Sequence, residues 1–98
     1  MTTEPTEPDK ALLEVAGSVD DPEKIRELLN SGADVHYKDP ETGATPLAYS
    51  CFRGHINNVK ILLETSDIES RSKSGKTPLA VAAQEGHLDI FKLLVDKD

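Results

Sequence analysis

Apolar residues recur at matched places in three stretches of the chain. They are ALLEVAGSVDDPEKIRELLNSGADV from Ala11, TPLAYSCFRGHINNVKILLETSDI from Thr45, and TPLAVAAQEGHLDIFKLLVDKD from Thr77. The starts lie 34 and then 32 residues apart. Each stretch carries two sets at spacing i, i+3, i+4. The first sets are Leu13/Ala16/Gly17, Leu47/Ser50/Cys51 and Leu79/Ala82/Ala83. The second sets are Ile25/Leu28/Leu29, Val59/Leu62/Leu63 and Phe91/Leu94/Val95. That spacing puts each set on one face of a helix. The pattern therefore predicts an all-α chain of three units, each a pair of short helices. Small residues on the first helix let neighbours approach closely, and bulky aliphatics on the second fill the core.

The boundary residues agree. Thr45-Pro46 and Thr77-Pro78 read as a capping threonine followed by proline at the first helical position, and Asp21-Pro22 does the same in the first unit. Gly54 and Gly86 fit helix ends that need a left-handed residue. Gly32 closes the first unit's second helix, and Gly43 and Gly75 fall in turns two residues before the capping threonines.

Resemblance to a known family follows from these same residues. Thr45-Pro46-Leu47, Gly54-His55 and Leu62-Leu63 in the middle unit resemble the ankyrin repeat. So do Thr77-Pro78-Leu79, Ala82-Ala83, Gly86-His87 and Leu93-Leu94 in the last, and Leu28-Leu29 and Gly32-Ala33-Asp34-Val35 in the first. The resemblance covers residues 11–98 at a period near the family's. It implies a solenoid of three helix–turn–helix units, about 11–38, 39–72 and 73–98, joined by β-turn or hairpin-like loops. Departures are confined to the loops and the first unit. Ala11-Leu12-Leu13 replaces Thr-Pro-Leu and Asp20-Asp21 replaces Gly-His, as in a capping repeat with a polar outer side. The family's His after Thr-Pro-Leu is Ala48 and Ala80 here, its turn aspartate is shifted by one residue near Asp39, and Ser72 replaces that aspartate in the last unit. The middle unit ends Ser66-Asp67-Ile68, without the Gly-Ala-Asp glycine.

Composition narrows the class. Ninety-eight residues form one small domain. Eleven Lys and Arg against 18 Asp and Glu give a net charge of −7, which disfavours nucleic acid and anionic membranes as partners. No apolar run is long enough for a membrane span. The first ten residues hold two Glu-Pro pairs and three threonines, and are expected to be a disordered acidic tail with no secretory signal. The lone Cys51 cannot form an internal disulfide, which points to a reducing compartment, the cytoplasm or the nucleus. The last unit matches an internal repeat, so the array is expected either to continue in a longer protein or to be short by nature. The third unit is expected to fray first.

Candidate chemistry does not assemble. Gly75-Lys76-Thr77 resembles the end of a phosphate-binding loop, but Ser70 stands where that loop needs its first glycine. Cys51 and His55 have helical metal-ligand spacing, but Gly54 interrupts the helix and no second pair is near. The resemblance implies that His55 and His87 bridge turns by hydrogen bonds. His36 stands alone near a loop and is expected to face solvent. Ser50 lies on a core face, and Asp20 and Asp21 sit at a helix start where carboxylates favour the dipole. The expectation is no catalytic residue, no metal and no cofactor.

A binding surface remains. The resemblance implies a protein partner held by turn tips and first helices on a concave face. The family's variable positions fall on Tyr37, Lys38, Glu41, Thr42, Ala44, Phe52 and Arg53 in the middle unit. In the last they fall on Arg71, Lys73, Ser74, Lys76, Gln84 and Glu85. Phe52 lies off the Leu47/Ser50/Cys51 face, and an exposed aromatic beside Arg53 has the composition of an interface hot spot. Tyr49 replaces a family leucine and is expected in the core. Residues 69–76, ESRSKSGK, carry three basic residues against one acidic, and with Arg53 could form a basic strip that steers an acidic segment of the partner. The expectation is a monomeric adaptor or scaffold. The alternatives are an inhibitor that covers one enzyme, or repeats that position a catalytic domain of a larger protein.

Overall fold

The computed structural model describes residues 6–97. Six helices follow one another: α1 (Glu7–Ser18), α2 (Pro22–Asn30), α3 (Pro46–Arg53), α4 (Ile56–Leu62), α5 (Pro78–Glu85) and α6 (Leu88–Lys97). Among the described residues there is no strand. Each first helix packs on its own second helix. Across the stack, α3 packs between α1 and α5, and α4 between α2 and α6. The result is two rows of helices in a body of 39 × 28 × 22 Å.

Local chemistry sets the starts. Thr45 Oγ1 accepts the amide of Ala48 at 3.2 Å, Thr77 Oγ1 accepts that of Ala80 at 3.2 Å, and Asp21 Oδ1 accepts that of Lys24 at 3.1 Å. Each satisfies a donor that the first helical turn leaves free. The first helix begins earlier than its apolar pattern suggests. Glu7–Lys10, expected in the acidic tail, form the first turn of α1. Thr6 caps it: its Oγ1 accepts the Asp9 amide at 3.4 Å, and Asp9 Oδ2 accepts the Thr6 amide at 2.9 Å. Asp9 Oδ1 also accepts the Asp34 amide at 2.7 Å, so this turn is tied to the loop after α2. The rest of the expected tail, residues 1–5, lies outside the described residues.

The core is aliphatic and runs the length of the stack: Leu12 and Ala16, Ile25 and Leu28, Leu47 and Cys51, Val59 and Leu62, then Ala82, Ile90 and Leu94. One register differs from expectation. In α6 the fully buried residue is Ile90, while Phe91 is half-buried and Val95 is 47% exposed. The helix packs against α4 and α5, and Ile90 and Leu94 are what it buries there. A middle unit is covered on both sides and buries a wider stripe, which is why Leu63 is buried while Val95 is not.

Between units the backbone makes hairpin-like turns. Asp39 donates to the Ala44 carbonyl at 2.9 Å and Gly43 to the Asp39 carbonyl at 2.7 Å. In the next turn Ser72 donates to the Lys76 carbonyl at 3.0 Å and Gly75 to that of Ser72 at 2.9 Å. The two turns are joined by the Lys73 amide, which donates to the Thr42 carbonyl at 2.9 Å. The approach is close at Gly43, where a Cβ would lie 2.8 Å from Lys73 N.

Polar ties lock successive units. Ser50 Oγ donates to the Ala16 carbonyl at 2.9 Å, and His55 Nδ1 lies 3.2 Å from the same oxygen. His87 Nε2 lies 3.1 Å from the Phe52 carbonyl. A carbonyl only accepts, so each of these ring nitrogens carries its proton. Both carbonyls belong to the last turns of helices, where acceptors lack partners within the helix. The bridging role expected of His55 and His87 is thus seen. Asp20 accepts from the Asn58 amide at 3.0 Å and from Asn57 Nδ2 at 3.1 Å, while Asn58 Nδ2 donates to the Val19 carbonyl at 2.7 Å.

Candidate partner-binding grooves

Two hollows share a wall at Tyr49. The larger, about 460 Å³, lies between α3, α5 and the two turns, and the smaller, about 360 Å³, lies between α1, α3 and the first turn. Helical spacing divides α3 between them. Ala48 and Phe52, four residues apart, line the larger groove, and Tyr49 and Arg53 line the smaller.

Nine residues singled out from the sequence come together in the larger groove: Glu41, Thr42, Ala44, Phe52, Lys73, Ser74, Lys76, Gln84 and Glu85. Tyr37 and Arg53 line the smaller groove. Lys38 and Arg71 line neither. Lys38 Nζ donates to the Arg71 carbonyl at 3.1 Å, and Arg71 Nη1 to the Gly75 carbonyl at 2.8 Å. The basic residues expected to form one strip therefore stand apart: Arg53 lines the smaller groove, Lys73 and Lys76 the larger, and Arg71 neither.

Phe52 is 44% exposed, and the Arg53 guanidinium carbon stands 5.4 Å from its ring centre. That distance is within cation–π range. Ala48 and Val81 extend the apolar surface beside it. On the rim, Lys73 Nζ donates to the Pro40 carbonyl at 2.6 Å, and Lys76 Nζ bonds Gln84 Oε1. Among the described residues the one ion pair of a lysine or arginine within 4 Å is Lys24–Glu27, away from the grooves. The groove's lysines thus hold neutral partners and keep their charge available.

Sequence reasoning missed Ala48, Tyr49 and Val81. Stepping four residues back from Phe52 and Arg53 would have found the first two. Tyr49 was expected in the core, and this is corrected. It is half-buried and its hydroxyl donates to Asp39 Oδ2 at 2.6 Å, while Thr42 Oγ1 lies 3.0 Å away. A leucine at that place could make neither bond. The Tyr49 hydroxyl, then the Glu41 amide, hold the Asp39 carboxyl below its ordinary range. Burial, then the Asp39 bond, raises the Tyr49 phenol. Both shifts favour the bonded pair of charged carboxylate and neutral phenol.

The residues weighed for chemistry have structural places. Gly75 and Lys76 lie in the second turn and Thr77 caps α5. Cys51 is fully buried, and burial pushes its thiol up to about 12. The His36 side chain is 54% exposed. Among the described residues no group of three His, Cys, Asp or Glu could hold a metal, and no helix is long and apolar enough to cross a membrane.

No curated protein matches the chain in a sequence search. A family model does: the one for ankyrin repeats, in three copies, matches residues 12–98, and that coverage, on a stack of helix pairs, makes this chain a member of the ankyrin-repeat family.

Proposed function

We propose that the chain is a non-catalytic adaptor or scaffold that holds a protein partner in the groove between α3 and α5. Ankyrin repeats are protein–protein interaction modules. The observation that carries the reading to this groove is Phe52, large, apolar and 44% exposed, under Arg53 and beside Ala48 and Val81. Burying an aromatic and an arginine together is what interface hot spots do. The partner contributes an apolar side chain that fills the groove and an acidic segment that meets Lys73 and Lys76. The chain acts as a monomer in a reducing compartment, the cytoplasm or the nucleus, where the lone Cys51 stays a thiol.

Affinity capture from cell extract tests this, with the wild type beside a Phe52→Ala/Arg53→Ala variant of equal helical circular dichroism. A protein retained by the wild type and lost by the variant supports the groove. The same proteins on both would reject it. Capture that weakens with rising salt supports the acidic segment, and salt-independent capture removes it. Loss of the captured protein's own activity would favour the inhibitor role over the adaptor.

A further inference from the structure

We propose that Tyr49 is the positioning residue of the two grooves: its hydroxyl holds the turn of residues 39–44 and so sets the shape of both. This deepens the binding reading above and rests on it for the grooves' purpose.

The base of the side chain is fixed first. It packs beside Gly17 of α1, where an added Cβ would lie 3.4 Å from Tyr49 Cβ. From there the phenol reaches the turn. Asp39 splits its carboxylate between the Tyr49 hydroxyl and the Glu41 amide at 2.8 Å. The Tyr49 proton goes to Asp39, so Thr42 donates its hydroxyl proton to the Tyr49 oxygen and accepts the Ala44 amide at 3.2 Å. The Tyr49 hydroxyl thus bonds Asp39 and Thr42 directly, and these two side chains in turn hold the Glu41 and Ala44 amides. The Thr42 carbonyl then receives the Lys73 amide, which carries the same constraint to the second turn. Asp39 is a wall of the smaller groove, and Glu41, Thr42 and Lys73 are walls of the larger. The other units have no such link: Val15 and Val81 hold the places matching Tyr49, and Ser72 replaces the turn aspartate.

The test is hydrogen exchange by NMR on the full chain with Tyr49→Phe, which removes only the hydroxyl. The Glu41, Ala44 and Lys73 amides should exchange about tenfold faster, with the Val59 and Val81 amides within about twofold of wild type. The Asp39 carboxyl, followed by carbon NMR, should titrate at higher pH than in the wild type. Unchanged exchange at the three turn amides, or equal acceleration at every amide, would overturn the proposal. Thr42→Val removes one end of the same link from an exposed site. It should speed Glu41 and Lys73, Thr42→Ser should restore them, and wild-type rates in Thr42→Val would overturn the proposal even if Tyr49→Phe failed to fold. None of these readouts needs a partner, so failure of the groove as a binding site would leave them standing.

Discussion

The imidazole of His87 lies against the backbone of Gly54, so close that a Cβ there would meet Cε1 at 2.7 Å. Gly54 ends α3 in the left-handed region at φ 78°, and Gly86 ends α5 in the same way at φ 77°. The two differ in what stacks on them, since nothing lies within 4 Å of a Cβ at Gly86. Gly86→Ala should cost only the left-handed backbone, about 1–2 kcal/mol. Gly54→Ala should cost that and the displacement of His87 from the Phe52 carbonyl, about 3 kcal/mol in all. Urea unfolding of both variants checks this, and equal losses would show that the ring does not pack there.

The glycine ends and threonine caps were legible because a turn of helix chooses its capping residues locally, as Thr45, Thr77, Gly54 and Gly86 show. Ile90 and Tyr49 were not legible in the same way. Whether Ile90 or Phe91 is buried depends on which side of α6 has a neighbour. Tyr49 looked like a core residue because its apolar ring fills a leucine's place, while its partner Asp39 sits ten residues away across a turn of irregular length. The start of α1 was hidden by two prolines and a run of acids, although Thr6 and Asp9 have the capping spacing. Most of the larger groove was legible because family-variable positions are those that packing leaves free.

The Ala16 carbonyl takes protons from both Ser50 and His55. Removing either leaves it one partner, so Ser50→Ala and His55→Ala should each cost about 1 kcal/mol. The double variant strands a carbonyl between α1 and α3 and should cost about 3 kcal/mol, more than the sum. A double-mutant cycle by urea unfolding measures the excess. Strict additivity would mean that the two side chains act independently.

Acid should loosen the start of α1. The Thr6 and Asp34 amides hold the Asp9 carboxyl below its ordinary range. A lowered pKa stabilises the fold above the unfolded value, and the gain is lost as pH falls through the folded one. Asp9→Asn should therefore cost about 1 kcal/mol at neutral pH, and its gap from wild type should shrink below about pH 4. Unfolding midpoints across that range decide it. A gap that persists in acid would assign the loss to shape and not to charge.

The Cys51 thiol should be unreactive in the folded chain. It is fully buried and pushed up to about 12, so almost no thiolate exists at neutral pH. A disulfide reagent should label it only as fast as α3 opens from its neighbours, and denaturant should accelerate labelling in step with unfolding. Immediate stoichiometric labelling without denaturant would place the thiol near the surface.

Opening should begin at α6. Among the described residues nothing covers the side of this helix that leaves Val95 at 47% and Leu88 at 69% exposure. By contrast, α3 buries Leu47, Ser50 and Cys51 completely between two neighbours. Stacked repeats draw their stability from such neighbours, so the two end units open more easily than the middle one, and of these the third leaves more apolar surface uncovered, at Leu88 and Val95. Hydrogen exchange should be fastest in α6, slower in α5 and slowest in α3. Val95→Lys should leave that order and the unfolding midpoint unchanged within about 0.5 kcal/mol, as at other exposed sites. Ile90→Ala, which opens a hole at a fully buried position, should cost about 3 kcal/mol and speed exchange in α6 most. Should α3 exchange as fast as α6, the three units would open as one body and the stack's stability would not be graded along its length.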